Sequence, residues 1–314
     1  MKALTQVREM VTEPQKRLIV RMIDDVANSD TVNQALSALS KNEAERLKGD
    51  PEFTESLRQH ISTMVGKYGN GREYIDGDVE SDYGNYAEYK PKEDLDRQIE
   101  ILKIIRPGLG ETDPEYLMKV KSGAVKLPKG GEKFFAIPNI WYKPGRDPRA
   151  YYEQNCRVAL ERVNDYHRGQ LEIFQEQNFS LVYLRQTERA VAEFQKLSQY
   201  QGHPGILIVA AQFGLRHLGR SFCRARVVIG DTYGEFGLGL FAVCNMLLTH
   251  PERFRSSEVL SIGCVGDICN IMGADVPFEA APHFFFHDGY PVVDGSGTSD
   301  VNGNYGSVSG FHTE

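Results

Sequence analysis

The stretch GILIVAAQ, residues 205–212, carries the strongest secondary-structure signal in the chain. It is apolar without interruption from Ile206 to Ala211. A strand with one face in water alternates apolar and polar residues, whereas a strand covered on both faces is apolar throughout, as in parallel sheets. The stretch therefore predicts a buried strand of a parallel sheet.

Strand and helix signals alternate on either side of this stretch. The segments are, in chain order, SLVYLRQ (180–186, strand), TERAVAEFQKLSQY (187–200, helix), RVVIG (226–230, strand), EFGLGLFAVCNMLLTH (235–250, helix) and EVLSIGC (258–264, strand). This order is typical of α/β proteins. We therefore predict a C-terminal, doubly wound parallel sheet across about 179–264.

The residues before this region read as mainly helical. LDRQIEILKII (95–105) has helical periodicity, and Asp113-Pro114 and Asp147-Pro148 each combine an N-cap with a proline at the first helical position. We expect the second of these helices to run to about His167.

The same helix and strand signals divide the chain into two regions. We predict a mainly helical region at 1–123, with an exposed acidic and tyrosine-rich loop at 67–91, and an α/β domain at 124–314. Within the second region, GAVKLPKGGEKFFAIP (123–138) predicts a short hairpin, and the tail rich in Gly, Ser and Asp (287–314) predicts loops, a hairpin or a covering flap.

Composition narrows the class of protein. The 314 residues are 41% hydrophobic, which is enough for a sizeable core, and the net charge is −7, which argues against a general nucleic-acid or anionic-membrane surface. The N-terminus has no signal-peptide pattern, and no stretch reaches the length of a membrane span. Five scattered cysteines favour a reducing compartment, so we expect a cytoplasmic protein.

Polar residues follow the C-terminal ends of the predicted strands. In open α/β sheets, ligands bind beside these ends. The polar residues are Arg185 after the first, Gln212 after the second, and Cys264, Gly266 and Asp267 after the third. The sequence therefore predicts a crevice with Arg185, Gln212 and Gly266 as ligand-binding residues. Ordinary polar loops would give the same pattern, and that alternative stays open.

One basic cluster stands out in the acidic chain. It comprises Arg216, His217, Arg220, Arg224 and Arg226. Guanidinium groups bind phosphate and carboxylate, so Arg216 and Arg220 are candidate ligands for a small anionic or phosphate-bearing molecule. The alternatives are a solvated helix face, or a non-catalytic module that binds nucleic acid or protein through this cluster.

Acid–base and nucleophilic chemistry have three candidate residues. His217 and Asp267 are placed for proton transfer, and Cys264 could form a thiol, imidazole and carboxylate set with them if the fold brings the three together. The glycines of 230–239 match neither a dinucleotide fingerprint nor a P-loop, so no cofactor is identified. Whether the protein turns a substrate over is left open.

A zinc site is a weaker hypothesis. Cys264, Cys269, His283 and His287 follow the spacing C-x4-C-x13-H-x3-H, close to that of classical zinc fingers. The intervening residues lack the amphipathic helix of a finger, and buried cysteines are common without metal. The preferred reading assigns no metal.

The C-terminal half, about 203–311, resembles an uncharacterised family of predicted bacterial proteins. The residues that carry the resemblance are AQFGLRHLGRS (211–221), EFGLGLFAV (235–243), LLTHPERF (247–254), Cys264 with Gly266-Asp267, and YGSVSGF (305–311). The resemblance implies a bacterial intracellular protein and assigns no activity or residue role.

Overall fold

A computed structural model describes much of the chain. The described residues are 89–141, 147–173, 181, 184–256, 259–269, 280–297 and 302–313. The chain divides into two compact units, Met1–Gly71 and Arg72–Glu314, and every described residue belongs to the second. The helices predicted before residue 67, and the predicted loop 67–91 up to residue 88, lie outside the described residues.

Six α-helices are described. They are α1 (Leu95–Ile105), α2 (Pro114–Lys121), α3 (Pro148–Tyr166), α4 (Glu188–Tyr200), α5 (Phe222–Asp231) and α6 (Leu240–Thr249). Side-chain caps begin most of them: Asp113, Asp147 and Thr187 accept hydrogen bonds from the first turns of α2, α3 and α4. None of the described helices combines the length and apolar character that crossing a membrane requires.

A four-stranded antiparallel sheet lies at the centre. Its order is β1 (Lys133–Pro138), β4 (Ile206–Gln212), β11 (Ser309–Phe311) and β5 (Glu235–Gly237). Every residue of β4 is buried. Ile206 and Ile208 belong to the same core cluster as residues of α1 and α2, whereas Leu207 and Val209 pack with α3, α4 and α6.

A second, five-stranded sheet is mixed. Its order is β10 (Tyr305–Ser307), β6 (Ser261–Gly263), β8 (Ala280–His287), β9 (Tyr290–Gly297) and β2 (Glu172–Ile173). The pairs at its two edges are parallel and the inner pairs are antiparallel. A short antiparallel pair, β3 (Arg185–Gln186) with β7 (Asp267–Ile268), completes the described strands.

The α/β class therefore holds, but the doubly wound parallel sheet is not confirmed. The strand at 206–212 pairs antiparallel with both of its neighbours. Its uninterrupted apolar sequence has the predicted cause, burial on both faces, because helices cover both sides of this antiparallel sheet.

Two shorter predictions differ from the structure. RVVIG (226–230) belongs to α5, where Ser221 caps the helix and Phe222, Ala225 and Ile229 form the buried face. An apolar run this short does not distinguish a helix from a strand. The predicted hairpin at 123–138 is a single strand, β1, because its partner is β4.

The C-terminal tail, predicted as loops, a hairpin or a flap, forms strands over many of its described residues. It supplies most of β9, which forms a hairpin with β8, and the strands β10 and β11. β11 is an inner strand of the central sheet, between β4 and β5.

Candidate functional site

Two residues of the basic cluster, Arg216 and His217, contact a buried carboxylate that sequence reasoning did not identify. Glu235, at the start of β5, is 1% exposed. Arg216 donates from Nε to both carboxylate oxygens at 3.1 and 3.0 Å, and Ser309 donates from Oγ at 2.6 Å. His217 contacts the same carboxylate through Nε2 at 2.7 Å. Glu235, Arg216, His217 and Ser309 form what we call the carboxylate cluster.

The hydrogen bonds define the protonation of His217. Arg220 can only donate, so its Nη1 at 2.8 Å makes Nδ1 of His217 an acceptor and leaves the proton on Nε2, facing Glu235. Burial lowers the pKa of His217, which keeps the imidazole neutral. Burial alone would raise the pKa of Glu235, but hydrogen bonds from His217 and Ser309 outweigh it and hold this pKa below its ordinary value.

Gln212 is part of the same buried network. Its Nε2 donates to the Ser307 carbonyl at 2.8 Å and to Ser309 Oγ at 2.9 Å, and its Oε1 accepts from the Gly214 amide at 2.5 Å. Because the side chain is fully buried and saturated, it ties β4 to β11 and is not available to a ligand.

Two further arginines of the basic cluster have internal partners. Arg226 donates to the backbone carbonyls of Val265, Asp267 and Ala280, and Arg220 donates to His217. Arg216 is held by Glu235, so both predicted anion ligands of this cluster, Arg216 and Arg220, bind groups within the fold.

A second cluster surrounds Asp267, which is fully buried. Its carboxyl group accepts from the Tyr152 hydroxyl at 2.8 and 2.9 Å and from the Leu240 amide at 2.7 Å. That amide belongs to the first turn of α6, whose N-cap, Gly239, has no side chain to satisfy it. A methyl group at Gly239 would lie 2.6 Å from the Tyr152 oxygen, so the glycine lets the carboxyl group cap the helix. Burial raises the pKa of Asp267 to about 7.

Cys264 and Gly266 lie next to Asp267 for structural reasons. Burial, and then the neighbouring Asp267, raise the pKa of the Cys264 thiol well above its ordinary value, so the thiolate is strongly disfavoured. Both ring nitrogens of His217 are bound in the carboxylate cluster, so the predicted thiol, imidazole and carboxylate set is not assembled. A side chain at Gly266 would meet backbone, the Leu238 carbonyl carbon at 2.6 Å.

The residues of the zinc hypothesis do not converge. His283 and His287 lie four residues apart on the single strand β8, which separates them by about 13 Å. One zinc ion binds its ligands within about 2.3 Å, so these two histidines cannot share it. Within the described residues there is no group of three or more side chains arranged to hold a metal ion.

The structure contains a cleft of about 390 Å³ at the predicted strand-end residue Arg185. The first turns of α3 supply Arg149, Tyr151 and Tyr152 to its wall. Trp141, which follows β1, stacks on Phe194 with ring centroids 3.6 Å apart. The cleft is lined by Ile140, Trp141, Pro148, Arg149, Tyr151, Tyr152, Leu184, Arg185, Gln186, Val191 and Gln195.

Gln186 has a defined orientation in this cleft. The indole Nε1 of Trp141 donates to its Oε1 at 2.7 Å, and since an indole N–H can only donate, the amide cannot be reversed. The Nε2 group of Gln186 is buried and has no hydrogen-bond partner among the residues that the structure describes. Such a donor is costly to leave unsatisfied, and a ligand oxygen or a water would satisfy it.

Sequence reasoning named Arg185 and its neighbour Gln186 at a strand end but none of the aromatic residues of this cleft. The other lining residues lie far from the predicted crevice in the sequence: Trp141 follows β1, and Arg149 and Tyr152 lie in the first turns of α3. No local spacing therefore connects them with Arg185. The one available signal was composition, because Trp141 is the single tryptophan of the chain.

The described residues define an α/β protein in which an aromatic cleft carries arginines, and in which Glu235 and Asp267 each lie in a buried polar cluster. Comparison with protein-family models, curated proteins and solved structures finds no match to the chain. The functional argument therefore rests on the geometry of the described residues.

Proposed function

We propose that this protein binds a small anionic ligand in the cleft lined by Arg149, Arg185 and Gln186. The observation that carries the proposal is that two arginines and the orientated carboxamide of Gln186 line one cavity of about 390 Å³. The ligand class is the one expected from the sequence. Its location moves from Arg216 and Arg220 to the cleft, because Arg216 is neutralised by Glu235.

The chemistry of the wall specifies the ligand further. Guanidinium forks bind carboxylate or phosphate oxygens with two parallel hydrogen bonds, and the Nε2 group of Gln186 supplies a further donor to an oxygen. The rings of Trp141, Tyr151 and Tyr152 favour a ligand whose anionic group is attached to a flat, apolar body. Pockets of this size bind small molecules rather than polymers.

The proposal is for binding and not for turnover. His217 and Asp267, the predicted acid–base residues, each spend their polar atoms on internal partners. Neither is among the residues that line the cleft.

Calorimetric titration tests the proposal. Inorganic phosphate, benzoate and adenosine monophosphate are the probes, because they separate the contribution of the anion from that of the flat body. We expect saturable binding of at least one probe, and a Kd raised by about tenfold or more in Arg149→Gln and Arg185→Gln, which corresponds to the loss of one charged hydrogen-bonding partner.

Arg162→Gln is the matched control, since Arg162 lies on the same helix as Arg149 but pairs with Asp165 away from the cleft. It should bind as the unchanged protein does. The proposal is wrong if no probe binds, or if the control loses as much affinity as the cleft variants.

A further inference from the structure

A second cavity lies on one face of the five-stranded sheet and has different chemistry. It measures about 350 Å³. Register places Ser261 opposite Tyr305 and His283 opposite Asp294. Because alternate residues of a strand share a face, these strands present a single polar and aromatic surface. Its members are Ser261, His283, Phe285, Asp294, Ser296 and Tyr305.

His283 carries an unused hydrogen-bond acceptor at this cavity. The side chain is 5% exposed, and its Nδ1 lies 3.2 Å from the Asp294 carbonyl oxygen. A carbonyl can only accept, so the proton is on Nδ1 and the lone pair is on Nε2. Among the described residues, Nε2 has no hydrogen-bond partner. Burial lowers the pKa of His283 to about 4, so this acceptor is neutral near pH 7.

Flat rings and hydroxyl groups surround this acceptor. Phe285 stacks on His283 with centroids 4.6 Å apart and nearly parallel planes, and Tyr305 stacks on Phe222 at 4.8 Å. The Tyr305 hydroxyl lies 3.3 Å from the Ser296 hydroxyl, so both can also exchange hydrogen bonds with a ligand. The cavity therefore offers apolar ring faces beside donors and acceptors.

The charge of the described lining disfavours the ligand class of the first cleft. The described lining residues include no lysine and no arginine, and Asp294 contributes a carboxylate. An anion placed among these residues would meet a negative charge and no cationic side chain. A ligand that donates hydroxyl protons to an imidazole and a carboxylate fits instead.

We propose that this cavity binds an uncharged sugar, whose hydroxyl groups bond to His283 and its polar neighbours while an apolar ring face packs on the aromatic side chains. The site is separate from the anion cleft, because the two linings share no residue. The two proposals therefore succeed or fail independently.

Saturation-transfer NMR of the full chain with glucose, galactose and N-acetylglucosamine tests this proposal, followed by titration of any sugar that binds. We expect at least one sugar to bind with a Kd of about 10 mM or lower. Binding should be unchanged between about pH 6 and 8, because His283 does not change its protonation there.

Two variants identify the contacts. His283→Phe keeps an aromatic ring but removes the acceptor, and should weaken sugar binding by about tenfold or more. Tyr305→Phe keeps the stacking on Phe222 and should weaken it by about threefold or more. His287→Phe is the control, since His287 is exposed at the end of the same strand and does not line the cavity.

If His283→Phe does not fold, Tyr305→Phe decides the outcome alone. The proposal is overturned if no sugar binds at roughly 50 mM, if binding survives both substitutions, or if His287→Phe weakens it equally. Arg149→Gln should leave sugar binding unchanged, and a parallel loss there would also contradict a separate site.

Discussion

At the scale of single residues, burial decides the behaviour of Asp267. The unfolded carboxyl group titrates near its ordinary pKa of about 3.9, whereas burial raises the pKa in the folded protein to about 7. Between these values the folded state binds more protons at Asp267 than the unfolded state, so the contribution of this residue to the free energy of unfolding falls as pH rises. Burial is the cause, because the hydrogen bond from the Leu240 amide acts in the opposite direction and favours the ionised carboxylate.

We predict that Asp267→Asn removes this contribution. Asparagine keeps an acceptor for the Leu240 amide but cannot ionise. Buried histidines with a lowered pKa, such as His283, act in the opposite direction, so the variant is compared with the unchanged protein. Between about pH 4.5 and pH 7, urea unfolding should show a change in the free energy of unfolding that is more positive in the variant, on the order of 3 kcal/mol. Asp231→Asn, at an exposed position, should follow the unchanged protein. The same pH dependence in Asp267→Asn and in the unchanged protein would contradict a raised pKa of Asp267.

The carboxylate cluster gives a prediction about stability. Glu235→Gln would place an amide donor among the donors of Arg216, His217 and Ser309, and we expect the free energy of unfolding to fall by roughly 3 kcal/mol. Chemical denaturation measures it. Glu161→Gln, on the exposed face of α3, should change stability by less than about 0.5 kcal/mol. Equal effects of the two substitutions would mean that the cluster adds no stability.

Residue-level prediction from sequence was limited to local signals. Polar residues after predicted strands were expected to form a ligand crevice, whereas the structure gives Gln212 and Asp267 internal hydrogen-bond partners. Their partners Ser309 and Tyr152 were not found, because they are 97 and 115 residues away in the chain and no local spacing reports such contacts.

At the scale of elements, capping residues were more informative than apolar runs. Helices α2, α3 and α4 begin where Asp113, Asp147 and Thr187 predict. A cap is a local interaction between a side chain and the next turn, so sequence reports it directly. The short apolar run at 226–230 gave the wrong element, because its burial in α5 depends on what packs against it.

The turn before β7 gives a prediction at this scale. Gly266 packs against the backbone of 237–239, which cannot move aside as a flexible side chain can. We expect Gly266→Ala to lower the free energy of unfolding by roughly 3 kcal/mol. Gly230→Ala is the matched control, because the added methyl group is 3.4 Å from the flexible Arg189 guanidinium. Residue 230 lies in α5, where alanine is favoured over glycine, so the free energy of unfolding should be unchanged or raised by up to about 1 kcal/mol. Thermal denaturation of both variants distinguishes close packing from a general intolerance of alanine.

At the scale of the whole unit, the order of the strands in the sheet differs most from their order in the chain near the C-terminus. The last described strand, β11, lies between β4 and β5 and pairs with both. Sequence could not predict this, because a stretch rich in glycine and serine has weak strand propensity and its pairing comes from partners about 75 to 100 residues earlier. The continuous run at 206–212 indicated burial on both faces, but burial carries no information on strand direction.

This placement makes the C-terminal strand necessary for the central sheet. A chain that ends at Val308 would leave β4 and β5 without the strand that joins them, and would remove the Ser309 hydroxyl from both Gln212 and Glu235. We therefore expect the truncated chain to lose the cooperative unfolding transition in urea, followed by tryptophan fluorescence of Trp141. Ser309→Ala keeps the strand and removes only the hydroxyl, so it should stay cooperative and lose about 1 to 3 kcal/mol. Cooperative unfolding of the truncated chain at the midpoint of the full chain would show that β4 and β5 form a stable sheet without β11.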